Sequence, residues 1–238
     1  MSALRQSWIG MALALVIIAA WTALHVYGVF FMHLSQLLPA LMLLAALIWL
    51  SVGVYIVAHD AMHGSLCPAN RAAGNLIGAL AVWLYAGFSF RRLVPKHHAH
   101  HRHPGSADDP DFAPATPNRA GRWYGQFMKA YFGPREMVIM TLRVCVYLLL
   151  GARLENILLF FAVPGLLSSF QLFYFGTFLP HRHLPESGAT GFADRHRTRS
   201  NDYGTLMSLL TCFHFGYHHE HHLHPAEPWW RLPAVRRP

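Results

Sequence analysis

A chain of 238 residues in which 54% of the side chains are apolar and only 13% charged carries too few charges for its size to be an ordinary water-soluble domain. Its three cysteines, Cys67, Cys145 and Cys212, lie far apart and form no CxxC pair, so neither a disulfide framework nor a thiolate zinc site is indicated. The net charge of +8 is placed as a bilayer would place it, and the expected partner is a lipid membrane, with no nucleic acid.

Residues 8–31 (WIGMALALVIIAAWTALHVYGVFF) contain no Lys, Arg, Asp or Glu, and a helix of that length rises roughly 36 Å, enough to cross a hydrocarbon core with tilt. This run leads almost directly into a second at about 38–58, so it reads as a retained anchor and not a cleaved signal. The turn between them, MHLSQL, has no Lys or Arg and is expected to face outward. The segment HDAMH (His59 to His63) ends the second span. The next apolar segment, 72–90, is a weaker span because of Asn75 and its glycines, and KHHAHHRH (Lys96 to His103) follows it. A full crossing at 72–90 would put these two histidine groups on opposite faces. If they share one site, the segment lies along the interface or dips in and returns.

Segments 137–151 and 154–179 are expected to form a second hairpin around an outer turn at Gly151 to Arg153. Arg153 then lies in that turn, Arg143 lies within a span, and the other 17 basic residues fall on the cytoplasmic side, as the positive-inside rule requires. The predicted fold is therefore an all-α integral membrane domain covering 1–238. It has four transmembrane helices in two hairpins, an interfacial or re-entrant helix, and a cytoplasmic histidine-rich cap from 91–135 and 181–238. Within the cap, SADDPDFAPATP reads as a loop by its prolines.

The histidine spacings carry the chemistry. His59 and His63 stand four apart; His97, His100 and His101 stand at i, i+3 and i+4; His218, His221 and His222 repeat that pattern. On a helix such residues share a face, so each group can aim its imidazoles at one point. Eight candidate ligands exceed what one tetrahedral zinc can use, and two ions sharing them is the natural count. Imidazole suits iron, zinc, copper and nickel alike. An HExxH zinc helix would need histidine four positions after His219, where Leu223 stands. A redox pair of irons that activates dioxygen uses the whole set without a protein base.

HDAMH, HHAHH and HHEHH resemble the three histidine boxes of the membrane fatty-acid desaturase and hydroxylase superfamily, non-haem di-iron oxygenases. FGTFLPHRH (Phe175 to His183), DPDF (Asp109 to Phe112), and HFGYHHEHHLHP with PWWRLP after it narrow the resemblance to bacterial β-carotene ketolases. It extends over nearly the whole chain. The resemblance implies two iron ions, dioxygen as co-substrate, and a further histidine from the end of the span before the last box. His181 matches best, with His183 and His214 as competitors. It also implies oxidation of the carbon-4 methylene of a carotenoid β-ionone ring to a ketone, by two hydroxylations and loss of water.

The chain shows no nucleotide loop and no haem pair, so an external electron donor, ferredoxin-like and acidic, is expected to meet the basic face. The rivals are a carotenoid hydroxylase or fatty-acyl desaturase of the same superfamily, and a divalent-metal transporter, which would need ionisable ligands deep in several spans.

Around the expected ligands, His98 and His219 point off the shared helical faces and are assigned to outer or surface positions, as are His103 and His224. Asp60 either orients a histidine or caps a helix, and Glu220 either accepts from a histidine or is exposed. Asp108, Asp109 and Asp111 are expected in a solvated turn. Arg143 should face the bundle or reach an interface. Trp83, Tyr85, Phe88 and Phe90 are expected to pack, and no substrate contact is named.

Overall fold

Two uninterrupted apolar stretches make the first helical hairpin of the computed structural model, which describes residues 1–183 and 192–236. α1 (Ala3–Phe30) begins at Ser2, whose Oγ accepts the Arg5 N–H at 3.3 Å. α2 (Leu37–His63) ends at Gly64, whose φ of +72° is the left-handed conformation that stops a helix and favours glycine. α3 (Arg71–Ala86) runs back along α2, and α4 (Phe90–Arg102) leaves it at a bend of 98°. α5 (Ala120–Tyr131) and α6 (Pro134–Leu149) precede α7 (Leu154–His181), a continuous helix with two π-helical turns, Leu158–Ala162 and Tyr174–Phe178. The short helices α8 (Thr205–Cys212), α9 (His218–Leu223) and α10 (Leu232–Val235) close the fold. Among the described residues there is no strand.

The ends of the bundle are distinguished by bonds between helices. At one end, Asn156 of α7 donates to the carbonyl of Met32, just past α1, at 3.0 Å. At the other, Gln6 of α1 donates to the carbonyls of Ser65 and Ala226 at 2.8 and 3.2 Å. The histidine-bearing ends of α2, α4 and α7 all lie with Gln6. Both ends of the α3–α4 pair therefore sit at the same end of α2, with the 98° bend between them. Gly87 makes this possible, with φ of +69° at the bend.

α2 is the axis of the domain. Residues 50–62 are buried at every position except Tyr55, which is half-buried. Neighbouring helices approach closely at glycines. A Cβ at Gly78 of α3 would stand 2.5 Å from the Ala61 Cβ, and one at Gly28 of α1 2.8 Å from the Phe160 ring. The two π turns of α7 each end two residues before a proline, Pro164 and Pro180. Pro164 has no N–H to give the Phe160 carbonyl. That carbonyl instead accepts from His25 Nδ1 at 3.2 Å, and His25 Nε2 accepts from the Tyr147 hydroxyl at 2.9 Å.

By length and apolarity, three helices are able to cross a membrane: α1, α2 and α7, or four if the bent α3–α4 pair counts as one span. The 137–151 segment forms the 16-residue α6, roughly 24 Å long and short of a hydrocarbon core of about 30 Å. It still turns into α7 as a hairpin, through Gly151 at φ +87°. Arg143, midway along α6, donates to the carbonyls of Leu84 and Trp83 at 2.7 and 2.8 Å. It faces the bundle and satisfies two carbonyls at the end of α3. In the cap, Phe112 and Trp123 pack on Phe173 and Phe178 of α7. Cap positions 184–191 and 237–238 lie outside the described residues.

Candidate metal centre and adjoining cavity

Four helices deliver the nine histidines singled out as ligands: α2 gives His59 and His63, α4 gives His97, His100 and His101, α7 ends on His181, and α9 gives His218, His221 and His222. They fall into two groups. His59, His63, His97, His101 and His221 form one, and His100, His181, His218 and His222 the other; in each, the possible ligand atoms lie within 4.8 Å of one another. The inward atoms are mostly Nε2. His63 and His97 approach at 2.6 Å, His101 and His221 at 3.1 Å, and His218 meets both His181 and His222 at 3.1 Å.

Protons alone do not satisfy such an array, because a neutral imidazole has one donor and one acceptor nitrogen. Both ring nitrogens of His59, and Nδ1 of His218 and His222, are buried with no hydrogen-bond partner. Burial, then the neighbouring imidazoles, hold His218, His221 and His222 well below the ordinary imidazole range. They stay neutral and keep lone pairs to give. Nine converging imidazoles in sets of five and four, most of them buried, are a donor set that two transition-metal ions would satisfy.

Outer partners fix which nitrogen points inward. His100 Nδ1 donates to both carboxylate oxygens of Asp109 at 3.0 Å, leaving Nε2 for the cluster. Asp109 also accepts the N–H groups of Gly105 and Asp111, each at 2.8 Å. Burial works to raise its carboxyl, but the adjoining His100 ring and these two N–H groups bring it below the usual carboxylate range. His181 Nδ1 donates to the Arg197 carbonyl at 2.9 Å.

The expected solvated turn is therefore wrong at its centre. Asp109 is only 4% exposed, because the turn at Gly105, at φ +60°, folds the loop back under α4. Asp111 is also drawn inward, with Oδ2 3.7 Å from His100 Nδ1, while Asp108 is exposed as expected. Sequence reading missed Asp109 and Asp111 as partners of a ligand. The signal in the sequence is the DPDF segment, which places two carboxylates within eleven residues of His100.

The remaining candidates divide. His183 packs on Phe112 and His214 stacks on Tyr217 and Trp229; neither enters a cluster. His98 Nε2 donates to the Met62 carbonyl at 3.1 Å, and His219 Nδ1 lies 2.8 Å from the Thr198 hydroxyl, both directed away from the inward nitrogens. Asp60 Oδ2 accepts the Trp229 N–H at 3.1 Å and its Oδ1 stands 3.7 Å from His59 Nδ1, so it ties the C-terminal segment to the ligand helix. Glu220 accepts from the Ser200 hydroxyl.

A cavity of about 550 Å³ adjoins the histidines. His59, His97, His100 and His218 line one end, and Leu154 and Ile157 of α7 line the other. The lining follows α7 as far as Thr177, a helical distance of roughly 35 Å. Its walls are largely aliphatic and aromatic, which suits a long apolar ligand. Tyr85 and Phe88, expected only to pack, line it; Trp83 is half exposed beneath the Arg143 guanidinium, and Phe90 packs near Gly78.

Residues 35–144 and 134–238 match the sequence pattern of the fatty acid desaturase family. This chain belongs to that family. Among curated members, a protein named β-carotene ketolase from Paracoccus sp. strain N81106 is 51% identical over 223 residues, 92% of this chain and 89% of the relative. A β-carotene ketolase from Paracoccus sp. strain PC1 is 49% identical over 232 residues, 96% and 93% of the two chains. A zeaxanthin 4-ketolase from Chlamydomonas reinhardtii is 39% identical over 239 residues, 96% of this chain and 53% of the relative. The desaturase-family match covers all three histidine boxes.

Proposed function

We propose that this desaturase-family chain is an oxygen-dependent carotenoid 4-ketolase that converts the ring methylene at carbon 4 of β-ionone rings to a ketone. Substrates would be β-carotene, giving echinenone and canthaxanthin, and zeaxanthin, giving astaxanthin. The observation that carries this is an apolar cavity ending on the nine-histidine cluster, in a chain about half identical to two bacterial β-carotene ketolases.

Each hydroxylation consumes one dioxygen, two electrons and two protons, inserts one oxygen into C–H and releases water; the second gives a geminal diol that loses water. The methylene is allylic to the polyene, which spreads the radical left by hydrogen abstraction. Two irons held by His59, His63, His97, His101 and His221, and by His100, His181, His218 and His222, would supply dioxygen activation and hydrogen abstraction. The protein's own part is to hold the rod in the cavity, present one ring end to the histidines, exclude water and keep His100 and His181 in the inward-facing tautomer.

The reading includes a topology. α1 with α2, and α6 with α7, form two membrane hairpins of one domain, with local thinning of the bilayer matching the short α6, the α3–α4 pair re-enters, and the histidine end faces the cytoplasm of a bacterial inner membrane. The concentration of Lys and Arg at the histidine end supports it. The same charge would receive an acidic, ferredoxin-like electron donor.

Incubating membranes containing the protein with β-carotene and with zeaxanthin, under oxygen and a reducing system, tests the function. A mass gain of about 14 per oxidised ring identifies a ketone. A gain of about 16 alone, or loss of two hydrogens, sinks the proposal in favour of a hydroxylase or a desaturase.

A further inference from the structure

The cavity is apolar along most of its length, yet its histidine end carries a carboxyl group. Asp111 lines it there, with Oδ2 3.7 Å from His100 Nδ1. Its position is held from three sides: Tyr131 donates its O–H to Oδ1, the Asp111 N–H is given to Asp109 at 2.8 Å, and the Asp111 carbonyl accepts from Trp123 Nε1 at 2.7 Å. Tyr55 lines the same end, one helical turn before His59. Among the described residues its hydroxyl makes no hydrogen bond, whereas Tyr85, also on the cavity, pairs with Ser168 at 3.1 Å.

A hydroxyl that lines the cavity with no protein partner is free to bond a polar group that arrives there. A plain carotenoid ring brings nothing polar. The alcohol left by a first oxidation does, at the carbon that faces the histidines.

Resting on the ketolase reading above, we propose that Asp111 and Tyr55 bind the intermediate alcohol and so commit it to the second oxidation. The alcohol O–H donates to Asp111 Oδ2 and its oxygen accepts from the Tyr55 O–H, so the same carbon stays against the cluster. Tyr131 is a positioning residue that orients the carboxyl. The finished ketone has no O–H to donate and loses that half of the grip. Asp111 and Tyr55 thereby set the ratio of ketone to alcohol, a property distinct from the ability to oxidise at all.

The test measures released 4-hydroxy and 4-keto carotenoid in membranes bearing wild type, Tyr55→Phe, Tyr131→Phe and Asp111→Asn, with iron content determined in parallel. Loss of one hydrogen bond should raise the alcohol-to-ketone ratio about five-fold in Tyr55→Phe, with iron content unchanged. Because Asp111→Asn lies near His100, a second measurement supplies the 4-hydroxy carotenoid directly. Tyr55→Phe should then raise KM for the alcohol about five-fold, and by more than it raises KM for β-carotene. An unchanged ratio and unchanged KM in an iron-loaded Tyr55→Phe protein overturns the proposal while the ketolase reading stands. Wild-type membranes that form no ketone overturn both.

Discussion

His100 illustrates what one side chain needs in order to serve a metal. Its Nδ1 is occupied by Asp109 at 3.0 Å, so Nε2 is free to face His181, His218 and His222. Asp109→Ala should lower metal affinity or activity by about 10- to 100-fold, the usual cost of losing an outer carboxylate, measured by iron content and competition with a chelator. His63→Ala, His101→Ala and His222→Ala should abolish ketone formation and lower bound iron, since each removes a nitrogen of the cluster. His33→Ala, in the turn at the far end of the bundle, should do neither; normal iron and turnover in His222→Ala would show that the cluster is not the site. The i, i+3, i+4 spacings are legible in sequence because helical periodicity maps them directly onto a face. Asp109 is not, because its meeting with His100 depends on a loop turning at Gly105.

At the scale of elements, the bend at Gly87 decides whether two histidine groups can meet. Its φ of +69° is strained for any residue with a side chain, and a Cβ there would stand 2.7 Å from Ile139. Gly87→Ala should therefore cost about 1 kcal/mol or more, read as a lowered Tm in detergent together with reduced iron retention. An unchanged Tm would mean that the bend tolerates relaxation. The weak span character of 72–90 is visible in its composition, but the 98° bend that leads it into α4 is not. α7 poses the converse problem. Each π turn adds a residue to a turn of helix, so the face on which His181 emerges cannot be counted off at 3.6 residues per turn.

For the whole molecule, the proposed topology places His33 and the exposed cap residue Ala107 on opposite sides of the membrane. In a Cys145→Ser background, with Cys67 and Cys212 buried, His33→Cys should react with an impermeant thiol reagent from outside and Ala107→Cys only from the cytoplasmic side. Labelling of both from one side would break the two-hairpin arrangement. The basic histidine end predicts a second behaviour. Turnover driven by an acidic ferredoxin should fall as salt rises, whereas turnover driven by a small neutral reductant should not, because screening acts on the charged encounter.

Apolar run lengths, the placing of Lys and Arg and the three histidine spacings were enough by themselves to specify a helical membrane chain with metal-binding potential at one end. Hydropathy and periodicity are local properties, and each residue carries its own share of them. How nine imidazoles divide into five and four, which carboxylate steadies one of them, and where a cavity reaches them belong to the tertiary structure alone. Those features depend on the crossing of α2, α4, α7 and α9 and on turns at Gly87 and Gly105, where contacts between residues far apart in the chain outweigh anything a short window of sequence expresses.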